Sequence, residues 1–186
     1  FCPQICHFCG CTTETGFSRP FLERYVDAVI KEIDFVSLGE GEDTWKEIST
    51  TEISDIKNLA GLAYLENDKF IKTKVRERVK HIDSIPWPDW DTFPIEPYLD
   101  NSMSFGPGSG RNMPIIASRG CPYECTFCSN PLMFGRRYFV RNIDDLITQI
   151  KYYIKRYNIT GLQFYDLTAI LKKNWVLESC DALVKT

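Results

Sequence analysis

No apolar run in this 186-residue chain approaches the roughly 18 residues of a membrane span. No basic leader precedes an apolar segment at residues 1–10, which are cysteine-rich instead. That argues against a secretory signal and for a cytoplasmic protein. Phe1 is not an initiator methionine, so further chain is expected before it. Histidine is scarce, with only His7 and His81. No basic stripe of the nucleic-acid-binding kind is present, and the net charge is −3. What remains is an ordinary globular composition, 44% hydrophobic and 25% charged. The length suits one sizeable domain or two small ones.

Cysteine is the residue in excess. Six of the eight fall into two C-x3-C-x2-C groups. In a reducing compartment such groups bind metal more often than they form disulfides. The second group lies in Arg119-Gly120-Cys121-Pro122-Tyr123-Glu124-Cys125-Thr126-Phe127-Cys128-Ser129. Thiolates are soft ligands for iron–sulfur clusters, zinc or Cu(I). A cubane cluster takes four cysteines, so three in one loop would leave one iron open to a small molecule. A zinc knuckle or inert core cysteines would share this spacing. The apolar run 114–118 reads as a buried strand that Gly120 and Pro122 break into a loop. The cysteines therefore sit past the C-terminal end of a strand, where α/β folds place their chemistry.

These residues resemble the radical S-adenosylmethionine (radical SAM) superfamily, whose motif is C-x3-C-x2-C with an aromatic, here Phe127, before the third cysteine. The longer string Arg-Gly-Cys-Pro-Tyr-x-Cys-x-Phe-Cys-Ser is most similar to the branch with an N-terminal cobalamin-binding domain. The resemblance implies that Cys121, Cys125 and Cys128 hold a [4Fe–4S] cluster. S-adenosylmethionine would bind its fourth iron and be cleaved reductively to a 5′-deoxyadenosyl radical, with Phe127 near the adenine. It also implies a flavodoxin- or ferredoxin-type electron donor and a small-molecule or lipid-like substrate. If cobalamin is bound, the implied reaction is methyl transfer to an unactivated carbon or phosphorus centre; some relatives perform ring closure or oxidation.

The first cysteine group, Cys2, Cys6 and Cys9, with Cys11 and His7 beside it, repeats the spacing without a preceding strand or the Arg-Gly lead-in. It reads as a second cluster site, a zinc site or neither. Residues 18–31 follow helical periodicity, with Ser18 able to cap and Pro20 in the first turn. Residues 33–38 read as a strand, and a helix with Trp45 and Ile48 inward follows the turn Gly39-Glu40-Gly41-Glu42. Strand, glycine turn and helix suit a doubly wound α/β layer. The string Asp-Phe-Val-x-x-Gly-Glu-Gly-Glu resembles the last strand and turn of the cobalamin-binding domain in the same branch. Gly39, Glu40, Gly41 and Glu42 are thereby candidate cobalamin contacts. A plain turn, with Glu42 complementing a helix N-terminus, explains them equally. The branch's cobalt-ligand motif Asp-x-His-x-x-Gly is absent.

Residues 61–65 and 70–73 flank a turn and suggest a β-hairpin. The proline- and tryptophan-rich run 86–98 reads as an extended connector whose aromatics pack on a domain surface, and residues 105–110 as a flexible lead-in. Asn142 caps a helix with Asp144 and Asp145 in its first turn and an apolar stripe through Ile143, Leu146, Ile147, Ile150, Tyr153, Ile154 and Tyr157. Residues 161–166 form a strand. Residues 174–185 form a helix with Val176, Leu177, Cys180, Leu183 and Val184 inward. By the resemblance, Asp166 and Thr168 stand where many family members contact the SAM amine, although the usual Gly-Gly-Glu is absent.

The expected organisation is α/β. Residues 1–60 form the C-terminal part of a doubly wound cobalamin-binding-like domain. Residues 61–110 form a hairpin and linker, and residues 111–186 the first βα units of an incomplete radical SAM (β/α) barrel. Strand 33–38 and the strands at 115–118 and 162–166 are expected in two separate parallel sheets. Two rivals are a two-cluster iron–sulfur electron carrier and a zinc-stabilised interaction module.

Overall fold

The computed structural model describes residues 20, 24, 32–103, 110–168 and 170–186. The first cysteine group, most of the helix expected at 18–31 and most of the glycine-rich lead-in lie outside the described residues. Among those described, no helix is long and apolar enough to cross a membrane.

The N-terminal part is a three-stranded sheet. Strand β1 (Val36–Ser37) pairs with β2 (Leu62–Glu66), which pairs with β3 (Lys69–Lys72). The β2–β3 hairpin matches the sequence expectation. Asn67 and Asp68 both take positive φ, 49° and 59°, the geometry of the tight turn that follows the twist of its strands. The expectation of a parallel sheet is corrected here, because β1 runs antiparallel to β2 through Val36–Ala63 and Ser37–Leu62. A hairpin strand edge is nearest in the chain, and pairing with it needs no crossover helix.

Helix α1 (Glu42–Ile48) follows the Gly-Glu-Gly-Glu turn. Trp45, expected inward, is exposed, and Thr44 is buried in its place. The reason is polar: Thr44 Oγ1 accepts from Arg76 Nε at 3.1 Å, and Glu47 takes the Arg76 guanidinium at 3.1 and 2.5 Å.

The C-terminal part is a β–α–β–α unit. Strand β4 (Asn112–Ile115) lies parallel to β7 (Gly161–Phe164), from Asn112–Gly161 to Ile115–Phe164. Beyond β4, the short strand β5 (Ser118–Arg119) pairs antiparallel with β6 (Phe139–Val140). A five-residue helix α2 (Glu96–Asp100), the short α3 (Asn130–Met133), the long α4 (Ile143–Tyr157) and α5 (Lys173–Val184) complete the unit. Asn142 accepts from the backbone N–H of Asp144 and Asp145 at 2.8 and 3.2 Å, as its capping position predicts. Asn158 ends α4 in the left-handed region at φ 48°.

Side chains alternate along a strand, so Met113, Ile115 and Ala117 share one face. Met113 packs with Tyr153, Tyr157, Ile159, Ile95 and Leu99, while Ile115 and Ala117 pack with Leu146 and Ile150. The connector closes over α4. Trp90 Nε1 donates to Tyr153 Oη at 3.0 Å, Tyr157 Oη donates to Asp91 at 2.9 Å, and Trp87 Nε1 faces the Asp145 carboxylate at 3.3 Å. Its aromatics thus pack on a helix surface, as read from the sequence.

Helix α5 forms where expected but is rotated. Leu177 and Val184 are 54% and 89% exposed, and Cys180 is exposed rather than core. Of the expected inward residues Leu183 does face the Leu146–Ile150 cluster, but beside it packs Trp175, whose Nε1 donates to the Arg141 carbonyl at 2.8 Å. This packing gives a direct comparison. Leu146→Ala should lower unfolding free energy by about 2–5 kcal/mol, the range for a buried leucine. Leu177→Ala should stay within about 0.5 kcal/mol. Urea unfolding followed by circular dichroism reads both, and a large loss at Leu177 would mean that α5 packs by its other face.

Candidate functional site

The cysteine loop hangs from the end of β5. Cys121 is partly buried, while Cys125 and Cys128 are exposed and carry free thiols. Gly120 holds the approach to the loop at φ 86°. A Cβ there would lie 2.1 Å from the Arg137 carbonyl oxygen and 2.8 Å from Arg78 Nη2. Only glycine allows this close passage of two backbone segments. A backbone bond from Cys128 N–H to the Cys125 carbonyl at 3.0 Å makes the turn that brings the second and third cysteines close in the chain.

Asn130 closes the far side of the loop. It is 2% exposed, and its Nδ2 donates to the Cys121 and Gly135 carbonyls at 3.3 and 3.1 Å. Its backbone N–H points at Cys128 Sγ, 3.5 Å away. Hydrogen bonds to ligand sulfurs are one of the means by which a protein tunes an iron–sulfur cluster. Sequence reading did not single out Asn130, because nothing local to an Asn-Pro pair announces a bond to a carbonyl nine residues away.

Among the described residues no three Cys, His, Asp or Glu side chains converge as a preformed metal site. The donor set nevertheless fits a cluster. Three thiols lie on one short loop, two of them exposed, with a backbone donor already on the third. Phe127 is 83% exposed and Tyr123 56% exposed, so apolar rings stand open beside the thiols.

The Gly-Glu-Gly-Glu turn lies against the start of this loop. Arg119 Nη1 bonds Glu40 Oε1 at 3.3 Å, and Arg119 Nη2 bonds Glu42 Oε1. Glu40 is buried, its Oε2 accepts from Val79 N–H at 2.7 Å, and Arg78 Nε lies 3.9 Å from its Oε1. Burial opposes the ionised form of Glu42, but the Arg119 hydrogen bond and charge outweigh it and hold its carboxyl below the usual range. Burial likewise works against the Arg119 charge, and the two glutamates more than offset it. Burial pushes Arg78 below its usual range, with Glu40 opposing and Arg119 and Arg137 adding repulsion. The carboxylates of Glu40 and Glu42 thus face arginines. Gly39, at φ 81°, and Gly41 offer backbone only.

At the end of β7, Asp166 serves the fold. Its Oδ1 accepts from Ala117 N–H at 3.1 Å and from the Ser118 hydroxyl, tying β7 to the bend between β4 and β5. The Thr168 hydroxyl oxygen is buried with no hydrogen-bond partner among the described residues. A cleft of about 460 Å³ opens beside β4, lined by Trp87, Trp90, Ile116, Arg119, Arg141 and Tyr165 among others.

No family model matches the chain. It is 32% identical over 148 residues to an uncharacterised methyltransferase of Pyrococcus horikoshii, covering 78% of this chain and 31% of that protein. It is 25% identical over 174 residues to the anaerobic magnesium-protoporphyrin IX monomethyl ester cyclase of Cereibacter sphaeroides, covering 91% and 27%. Among solved structures, the cobalamin-dependent S-adenosylmethionine radical enzyme OxsB, with aqua-cobalamin and S-adenosylmethionine bound, matches 90% of this chain and 22% of its own. The TM-score is 0.61 at 21% identity. The fold is therefore that of the cobalamin-dependent radical SAM enzymes. In sequence the chain is similar to a methyltransferase and a cyclase, and it spans under a third of the length of the curated relatives it matches.

The backbone at Gly120 yields a test of the loop. Gly120→Ala combines a left-handed backbone, costing roughly 1–3 kcal/mol, with the carbonyl clash. Gly135→Ala has a similar φ of 66° but meets nothing within 4 Å. Its cost should stay near 1–2 kcal/mol. Thermal unfolding should therefore rank Gly120→Ala well below Gly135→Ala, and equal stabilities would refute the close passage.

Proposed function

We propose that this chain is the cluster-bearing portion of a radical SAM enzyme, with cobalamin-dependent methyl transfer as its reaction. The observation that carries this is the cysteine loop itself: three thiols past a strand end, two of them exposed, on the fold of the cobalamin-dependent radical SAM enzymes. Cys121, Cys125 and Cys128 would hold a [4Fe–4S] cluster. The chemistry supplied at that site is one-electron reductive cleavage of S-adenosylmethionine to a 5′-deoxyadenosyl radical.

The chain's own residues orient and shield. Asn130 holds the loop closed through the Cys121 carbonyl and leaves its N–H on Cys128 Sγ. Phe127, exposed beside the third cysteine, offers an apolar face to the adenine, and the Thr168 hydroxyl can bond the methionyl part. Asp166 holds the strand ends together, and its carboxylate stands where it would meet the methionyl amine. For cobalamin, Gly39 and Gly41 offer backbone approach, while Glu40 and Glu42 are committed to arginines. The cobalt-ligand motif Asp-x-His-x-x-Gly does not occur in the chain. Methyl transfer is favoured over ring closure by the name of the Pyrococcus relative, although the Cereibacter relative is a cyclase.

The domain division that accompanies this reading puts residues 1–60 in a cobalamin-binding-like unit, 61–110 in a hairpin and linker, and 111–186 in the barrel. The separation of the β1–β2–β3 sheet from the parallel β4–β7 pair supports a division near residue 110, while the pairing of β1 with β2 joins the hairpin to the N-terminal unit. A cytoplasmic setting and an electron donor of flavodoxin or ferredoxin type complete the proposal. The basic balance of residues 119–186, with 10 Lys+Arg against 6 Asp+Glu, suits an acidic donor.

Anaerobic reconstitution with iron and sulfide tests the ligand assignment. The protein should take up about four irons at this loop and show thiolate-to-iron charge-transfer absorption. Cys125→Ala should abolish both, and retention of the full iron complement would overturn the assignment. Saturating S-adenosylmethionine should also change the paramagnetic resonance spectrum of the reduced cluster. An unchanged spectrum would mean that no iron is open to it.

A further inference from the structure

Four charged side chains, Arg119, Glu40, Glu42 and Arg78, meet at the start of the cysteine loop, and all but Glu42 are largely buried. Arg119 and Glu40 have side chains 14% and 5% exposed. They come from distant segments, the turn after β1, the stretch following β3, and the end of β5. Arg119 spans Glu40 and Glu42, Glu40 accepts from Val79 N–H, and Arg78 reaches both toward Glu40 and onto the Arg137 carbonyl. The guanidinium of Arg119 also lies 5.5 Å from the Phe134 ring, and that of Arg78 lies 4.7 Å from Phe139. Both arginines therefore brace the segment that returns from the loop.

We propose that Arg119, clamped by Glu40 and Glu42, is a positioning residue that fixes the cysteine loop against the N-terminal turn and sets the electrostatic potential at its thiolates. This rests on the cluster reading above. Two carboxylates and two guanidinium groups balance to zero net charge, in a place that water reaches poorly. Arg119 stands two residues before Cys121. A charge imbalance created there is weakly screened, so it acts on any charge at the thiolates. A one-electron reduction adds negative charge to the cluster, and net local charge is one of the determinants of its potential. Removing a carboxylate should favour the reduced state, and removing a guanidinium should disfavour it. The near-isosteric change Glu40→Gln and the shorter, neutral Arg119→Gln keep some hydrogen-bonding capacity while altering charge.

The experiment is a redox titration of the anaerobically reconstituted protein, followed by paramagnetic resonance of the reduced cluster, without turnover. Glu40→Gln should shift the midpoint potential upward, Arg119→Gln downward, and the double variant should return close to the parent value. A merely structural role would shift both single variants in the same direction or neither. Either result, with clusters loaded, overturns the inference and leaves the cluster assignment standing. If Arg119→Gln fails to hold a cluster, Glu40→Gln and Glu42→Gln decide it, since both must raise the potential. If the parent protein binds no cluster at Cys121, Cys125 and Cys128, the functional reading fails, and this inference fails with it. A second readout uses the protein without iron: amide exchange across residues 119–128 should quicken in Glu40→Gln, and an unchanged rate would show that the clamp does not hold the loop.

Discussion

A loop with three thiols must keep its side chains free for a ligand while its backbone is held in place, and the structure does this by anchoring both ends. At the start, the β5–β6 pair and the Gly120 passage against the Arg137 carbonyl fix the direction in which the chain leaves the sheet. At the end, the buried Asn130 side chain bonds back to the Cys121 carbonyl. Between these anchors Cys125 and Cys128 remain exposed. The polar groups of the loop's two ends are thus used on each other, while Cys125 and Cys128 stay open to solvent.

The second layer of restraint is electrostatic. A buried ion pair is weak evidence for stability, since desolvation opposes the Coulomb gain. Its value here lies in geometry. Glu40 accepts from a backbone N–H and faces two arginines, so displacing the turn after β1 would leave a buried charge unpaired. That cost couples the N-terminal sheet to the cysteine loop without a continuous strand between them.

The connector contributes a third contact. Trp87, Trp90 and Asp91 close on α4 through Asp145, Tyr153 and Tyr157, and Arg156 lies 2.8 Å from Asp91. The same helix packs Leu146 and Ile150 on Ile115 and Ala117. Through α4 the connector is therefore tied to the strand that leads to the cysteines. Arg141, itself buried, adds a bond to the Ile116 carbonyl beside that strand.

What the sequence determined by itself was local. The spacing of Cys121, Cys125 and Cys128, the Asn67–Asp68 hairpin turn, the Asn142 cap and the buried stripe of α4, apart from Ile154, which is exposed, all depend on residues within a few positions of each other. Their geometry follows from strand and helix periods. The rotation of α5 was not legible. Apolar residues occur on more than one of its faces, and the Trp175 bond to a carbonyl 34 residues away settles which faces inward. The antiparallel setting of β1 and the use of Asp166 as a tie between strand ends were equally hidden. So was the commitment of Glu40 to Arg119, 79 residues along the chain. Such contacts have no period to read. They form only where the fold brings distant buried polar groups together, and an unpaired group there would cost more than the contact gains.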